Sequence, residues 1–250
     1  MIYNLHRYVI YESIDNLIKS LLPGMADRPH YLAHRSRLRE RFRKTEGHGL
    51  HEYELLELLL TYAIPRIDVK PIAKGLLKRF GGLSGVLDAS QGEIEGISGL
   101  GTISATLIRL VKAICISYSA ERMRNKDCLS SPESVLEFSR LKLTGLPNEA
   151  LMAIYVNVKN QVIDYEMLSE GTVDNVVIYP RRIIEGSLRY HASGIIIVHN
   201  HPSGNPEPSE EDRLLTNSLS EILRTLDIRL LDHIIVGRDG HFSFRERKLI

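Results

Sequence analysis

Fourteen consecutive residues hold the densest chemistry in this chain: His199-Asn200-His201-Pro202-Ser203-Gly204-Asn205-Pro206-Glu207-Pro208-Ser209-Glu210-Glu211-Asp212. They follow the apolar run Gly194-Ile195-Ile196-Ile197-Val198, which reads as a strand. Side chains on a strand repeat with period two, so His199 and His201 leave the sheet on the same side and share one small volume. Pro202, Gly204, Pro206 and Pro208 then force the chain into a stiff loop, and Ser209 with Asp212 matches a capping-box spacing at the start of the next helix. An Asp in that first turn can swing back toward the two imidazoles. Two His and one Asp, with a further position left for water, is the ligand set of a catalytic zinc and points to metal-assisted hydrolysis. Taken singly, each residue also has a plain use: a local hydrogen bond for the histidines, and a partner for the helix N-terminus in Asp212. The coincidence of all three favours the metal.

The flanking chain supplies the elements that must hold them. Leu151 to Val158, Gly194 to Val198 and Arg229 to Val236 read as strands, while Arg181 to Tyr190 and Glu210 to Leu226 read as helices, giving an α/β domain with a buried sheet. The first half is different. Glu54 to Leu60 is rich in helix formers, Pro65 punctuates it, and Lys70 to Phe80 repeats apolar residues at helical intervals before Gly81-Gly82. The expected organisation is an all-helical domain over 1–120, a linker over 121–131 and an α/β domain over 132–250.

Charge follows the same division. Residues 1–126 hold 19 Lys+Arg against 13 Asp+Glu, whereas residues 127–250 hold 13 against 18. A hydrophobic share of 43% with 25% charged residues over 250 positions excludes disordered, collagenous and low-complexity classes. No internal repeat is evident. A net charge of +1 argues against a globally basic nucleic-acid binder. Two cysteines, Cys115 and Cys128, make neither a disulfide framework nor a metal pair, so a metal must rely on His, Asp or Glu. With no apolar run near the ~20 residues of a membrane helix and no signal-peptide order at Met1 to Arg7, the expected location is the cytoplasm, away from membranes. Oligomeric state is not written in these residues.

The pattern His-x-His, seven residues, Ser, two residues, Asp is similar to the JAMM signature of MPN-type zinc hydrolases, and His199 to Asp212 resembles the variant found in the RadC family. The resemblance extends through Gly171-Thr172 and Pro180-Arg181 upstream and Leu231 to Gly237 downstream, covering residues 128–250, and the helical first half resembles that family too. It implies a JAMM/MPN (cytidine-deaminase-like) fold behind an N-terminal helix-hairpin-helix region. It also implies Zn²⁺ on His199, His201 and Asp212, Ser209 assisting the oxyanion, and an upstream glutamate as general base. Glu149, just ahead of the strand Leu151 to Val158, is the candidate base, with Glu170 and Glu185 as alternatives. Arg182 stands where the family commonly has glutamate after Pro-Arg, a departure that leaves the ligands untouched and alters a neighbouring ion pair or partner surface. His191, His233 and His241 fall outside the spacing and take no ligand role, although Asp232-His233 reads as a pair behind the ligands. The expected substrate is a protein or peptide.

In the first half, Glu95-Gly96-Ile97-Ser98-Gly99-Leu100-Gly101-Thr102 precedes an amphipathic helix and resembles a helix-hairpin-helix motif, whose glycines let backbone amides approach a DNA phosphate without reading sequence. Leu107, Leu110, Val111 and Ile114 are expected to face the core. Arg35, Arg37 and Arg39, in the run Arg35 to Lys44, could add phosphate contacts, or simply form a solvated helix face. A DNA-associated accessory protein is therefore the alternative to a hydrolase.

Overall fold

The computed structural model describes residues 30–124, 126–170, 180–238 and 240–250. Met1 to Arg7 and Gly171-Thr172 lie outside them. By its contacts the chain divides into two compact units, with the break after Leu83.

The first unit contains α1 (His30–Thr45), α2 (Glu52–Ala63) and α3 (Lys70–Phe80). The His51 amide donates to Glu54 at 3.0 Å and closes a capping box at the start of α2, and α3 ends at Gly81, whose φ of 77° satisfies the left-handed C-terminal turn. Leu38, Leu56, Leu60, Ala73 and Leu76 are buried.

The second unit opens with α4 (Leu83–Asp88, whose first residue precedes the break), α5 (Gln91–Glu95), α6 (Thr102–Met123) and α7 (Pro132–Leu143). There follow β1 (Ala150–Val156), β2 (Val162–Glu170), α8 (Pro180–Arg189), β3 (Gly194–Asn200), α9 (Glu210–Arg224), β4 (Arg229–Val236) and β5 (His241–Ser243). The sheet order is β2-β1-β3-β4-β5, with β3 and β4 parallel and the other neighbours antiparallel. Strand alternation sorts the core into two layers. Met152, Ile154, Ile196 and Val198 join Met123, Val135, Phe138 and Leu143 on one face, while Leu151, Tyr155, Ile195 and Ile197 join Ile183, Leu219 and Leu223 on the other. Both faces are covered, so β1 and β3 are buried along their whole length and read as continuous apolar runs. The mixed strand-and-helix character of this half is the expected one. Two strands lie beyond those expected: β2, although Ile163, Tyr165 and Met167 alternate with Asp164 and Glu166, and the three-residue β5.

The expected linker 121–131 lies within the second unit, where Met123 and Cys128 are buried in the core. Helix α6 is also not the helix that its apolar spacing suggests. Leu110 and Ile114, expected in the core, are 51% and 58% exposed, and Ala105, Ile108 and Lys112 are buried instead. This helix of 22 residues is, by length and composition alone, apolar enough to cross a membrane, which corrects the expectation that no segment is. Lys112 bears on how that is read: its ammonium donates to Asp88 at 2.7 Å and to the Thr144 carbonyl at 2.9 Å, an anchor suited to a protein interior.

Candidate metal centre

Register decides which side chains meet. In the antiparallel β1/β3 ladder Leu151 pairs with His199, so continuing the same register sets position 149 across from 201. Positions 149, 199 and 201 then share one side of the sheet, the side that α9 covers.

At that end His199 Nε2 lies 2.9 Å from His201 Nε2, 3.2 Å from Asp212 Oδ1, and His201 Nε2 lies 3.4 Å from Asp212 Oδ2. One ligand atom from each of the three falls within 4.8 Å of the others, a grouping fit for a metal ion. The donor set itself fits such an ion: two imidazole nitrogens facing each other beside a carboxylate are stable only with a proton or a cation between them.

The loop is held to present them. The His201 amide donates to the Val236 carbonyl at 3.0 Å, and Arg238 donates its amide to the Gly204 carbonyl at 3.1 Å. Gly204 takes a left-handed φ of 91°, and a Cβ on Gly237 would come within 2.3 Å of the Gly204 carbonyl oxygen, so the close approach of the two segments depends on glycine at 237. His201 Nδ1 sits 2.8 Å from the Asn205 carbonyl, an acceptor only, which fixes the proton on Nδ1 and leaves Nε2 for the metal. Ser209 caps α9: its hydroxyl accepts from the Asp212 amide at 3.1 Å, while its own amide and hydroxyl donate to Asp212 Oδ2 at 2.8 and 2.7 Å. The plain and the chemical readings of Asp212 are thus both true of one carboxylate.

Electrostatics follow from burial and these contacts. Burial pushes His199 down to about 3, and burial likewise lowers His233 to about 4. The hydrogen bond that its charged ring donates to Asp212 raises His201. Burial alone would push Asp212 up, but the hydrogen bonds from His201 and Ser209 and the nearby His199 hold it below the usual carboxylate range.

Glu149 Oε1 lies 4.0 Å from His201 Nε2 with its side chain half exposed. Asn200, buried at the end of β3, clamps the backbone on both sides of it, accepting from the Ala150 amide at 2.9 Å and donating to the Asn148 carbonyl at 3.2 Å. Of the alternatives, Glu185 pairs with Arg181 along α8 at 2.8 Å, and Glu170 stands on β2, its backbone paired with Ala150. Arg182 donates to the Leu168 carbonyl, tying α8 to β2.

His233 is the residue whose place the spacing rules miss. It is fully buried on β4, 2.9 Å from His199 Nδ1. Asp232, expected beside it, turns to the opposite side of the strand, where it accepts from Ser243 at 2.6 Å and from the Arg245 amide at 3.0 Å. The alternation of a strand separates neighbours, and that was the available signal.

The residues expected to meet DNA do not converge in one way. Arg35 is buried, and its guanidinium donates to the carbonyls of Pro65 at 2.6 Å, Ile64 at 2.8 Å and Ile67. This corrects its assignment to phosphate: it closes the C-terminal end of α2. Arg37 and Arg39 are exposed on α1. Gly99, with φ 88°, turns the chain between α5 and α6, and Gly101 precedes the first turn of α6.

A scan against protein-family models matches residues 129–249 to the RadC-like JAB domain, a span that includes all five strands, both histidines, Asp212 and Glu149.

Proposed function

Because residues 129–249 belong to the RadC-like JAB domain family, we propose that this chain is a zinc-dependent hydrolase that cleaves a peptide or isopeptide bond. The observation that carries this reading is the convergence of His199 Nε2, His201 Nε2 and the Asp212 carboxylate on one point. Three protein ligands are the number that a catalytic zinc uses. Zinc bound there would supply Lewis acidity toward a carbonyl oxygen and toward water. Glu149 is the general base: its carboxylate accepts a proton from the attacking water and passes it to the leaving nitrogen. Asn200 holds the peptide that carries Glu149 in place. Ser209 donates its hydroxyl proton to Asp212, so to serve an oxyanion that hydroxyl rotates away while the Ser209 amide keeps hold of the carboxylate.

Elemental analysis tests the ligand set. The wild-type chain should carry about one zinc, as three ligands from one chain imply, and the His199→Ala, His201→Ala double variant should carry essentially none. Equal zinc in both overturns the assignment.

A second reading adds non-specific DNA contact, favoured by the exposed turn at Gly99 and by Arg37 and Arg39 on α1. Amides and arginines that touch phosphates bind without sequence preference and lose affinity steeply with salt. No binding of the full chain to duplex DNA at low salt would remove it.

A further inference from the structure

Behind the buried ligand His199 runs a chain of three contacts that leads back to the helix carrying the third ligand. His199 Nδ1 lies 2.9 Å from His233 Nε2, His233 Nδ1 lies 2.7 Å from Thr216 Oγ1, and Thr216 Oγ1 lies 2.6 Å from the Asp212 carbonyl oxygen. We propose that His233 and Thr216 are positioning residues that fix the tautomer of His199, holding its proton on Nδ1 and its lone pair on Nε2 toward the metal point. The inference rests on His199 being a ligand, as proposed above.

Donor arithmetic sets the direction of the chain. A carbonyl oxygen only accepts, so the single hydroxyl proton of Thr216 goes to Asp212. The same hydroxyl oxygen must then accept from His233, which places the proton of that ring on Nδ1. The ring is fully buried against Phe244, stacked at 4.9 Å between centroids, and its two nitrogens face only His199 and Thr216 among the described residues. A neutral imidazole with its proton on Nδ1 has a lone pair on Nε2. His199 Nδ1 therefore donates to it, and Nε2 of His199 is left bare on the side of His201 and Asp212. The opposite direction would need two protons on the Thr216 oxygen.

This arrangement explains two things that the ligand triad does not. A metal-binding histidine ordinarily hands its other N–H to a carboxylate, a carbonyl or water; His199 is too deeply buried to reach water and is given a second imidazole instead. Thr216 also stands one turn beyond Asp212 on α9, so a single turn of helix supplies both the carboxylate and the far end of the relay. His201, at the half-buried side, needs no relay because the Asn205 carbonyl performs the same service directly.

Two measurements decide it. In the metal-free full chain labelled with ¹⁵N, long-range proton–nitrogen correlation should show His233 and His199 protonated on Nδ1. A proton on Nε2 of His233 overturns the relay, and because no metal is present this result is independent of whether zinc binds at all. In competition with a chromogenic chelator, Thr216→Val should bind Zn²⁺ about 10- to 100-fold more weakly, the usual effect of losing a partner behind a ligand. Thr216→Ser, which restores the hydroxyl, should return to within about twofold of wild type, since only the shared hydroxyl is at issue. His233→Gln should follow Thr216→Val. Urea unfolding separates this from a packing role, which would lower stability while leaving zinc affinity and the His199 tautomer unchanged; that pattern in Thr216→Val overturns the inference, even if His233→Gln fails to fold.

Discussion

Two polar regions of this chain stand out as strings of letters, and folding treats them in opposite ways. At the carboxyl end of β3, His199, His201 and Asp212 converge, and the spare nitrogen of each histidine has its own acceptor or partner. On α1, the run Arg35 to Lys44 disperses. Arg35 is consumed by three carbonyls, Arg41 pairs with Glu54 at 2.6 Å, and Arg43 and Lys44 both lean on Glu40. Charge repeated along a helix spreads around its circumference, whereas residues two apart on a strand stay together. Spacing that matches the period of its element is therefore worth more than abundance of one residue type.

The comparison is broken most severely at Glu149. Glu149→Gln should keep its zinc, measured by elemental analysis, and lose hydrolysis by about 10²- to 10⁴-fold, because the amide keeps the shape and cannot accept the proton. Full activity in Glu149→Gln beside a dead Glu170→Gln or Glu185→Gln would move the base and leave the metal point standing.

The next largest effect belongs to the other region. Arg35→Ala leaves three carbonyls without their donor and should cost about 3 kcal/mol in urea unfolding, while Arg37→Ala should stay within about 0.5 kcal/mol. If the two variants were equally stable, the arginines of α1 would be interchangeable surface charges, and the dispersal described above would be wrong.

Acid should act on the first region and spare the second. In metal-free protein, His199 and His233 are held down to about 3 and 4, so folded chains refuse the protons that unfolded histidines take near pH ~6.5. Stability is therefore full above that value and falls as pH drops toward 4, by about 1.4 kcal/mol per pH unit for each proton. His201, raised by Asp212, contributes fully below the unfolded value and loses its contribution as pH rises, so it partly offsets the fall between pH 7 and 6 and is nearly constant from 6 to 5, while Asp212, held low, loses its own only in stronger acid. Urea unfolding in chelator at pH 7, 6 and 5 measures it, and unchanged stability would mean that the buried rings already carry protons.

Ser209→Ala is the smallest change and the one that sharpens the double reading of Asp212. It should lower stability by ~1 kcal/mol through the lost cap and also weaken zinc, since the same hydroxyl orients the ligand carboxylate. Loss of the cap without any change in zinc affinity would show that the Ser209 amide suffices to orient Asp212.

Sequence by itself determined the candidate triad for a metal and its elements. The strand period of two at His199 and His201, the proline-stiffened loop and the capping spacing of Ser209 and Asp212 are all local features, and local geometry is enough to draw them together. The helical character of residues 30–123 and the buried runs of β1 and β3 were equally legible from composition and periodicity. Tertiary structure decided the rest, because it depends on pairs far apart in the chain. The register of β1 against β3 brings Glu149 to His201, and the side chain of Asn200 fixes the peptide between them. Parallel pairing of β3 with β4 sets His233 behind His199, which no spacing rule could foresee, whereas the turn of Asp232 to the other face follows from strand alternation. Arg35 reads as one cation among many until the end of α2 is folded against it, when the unpaired carbonyls there claim it.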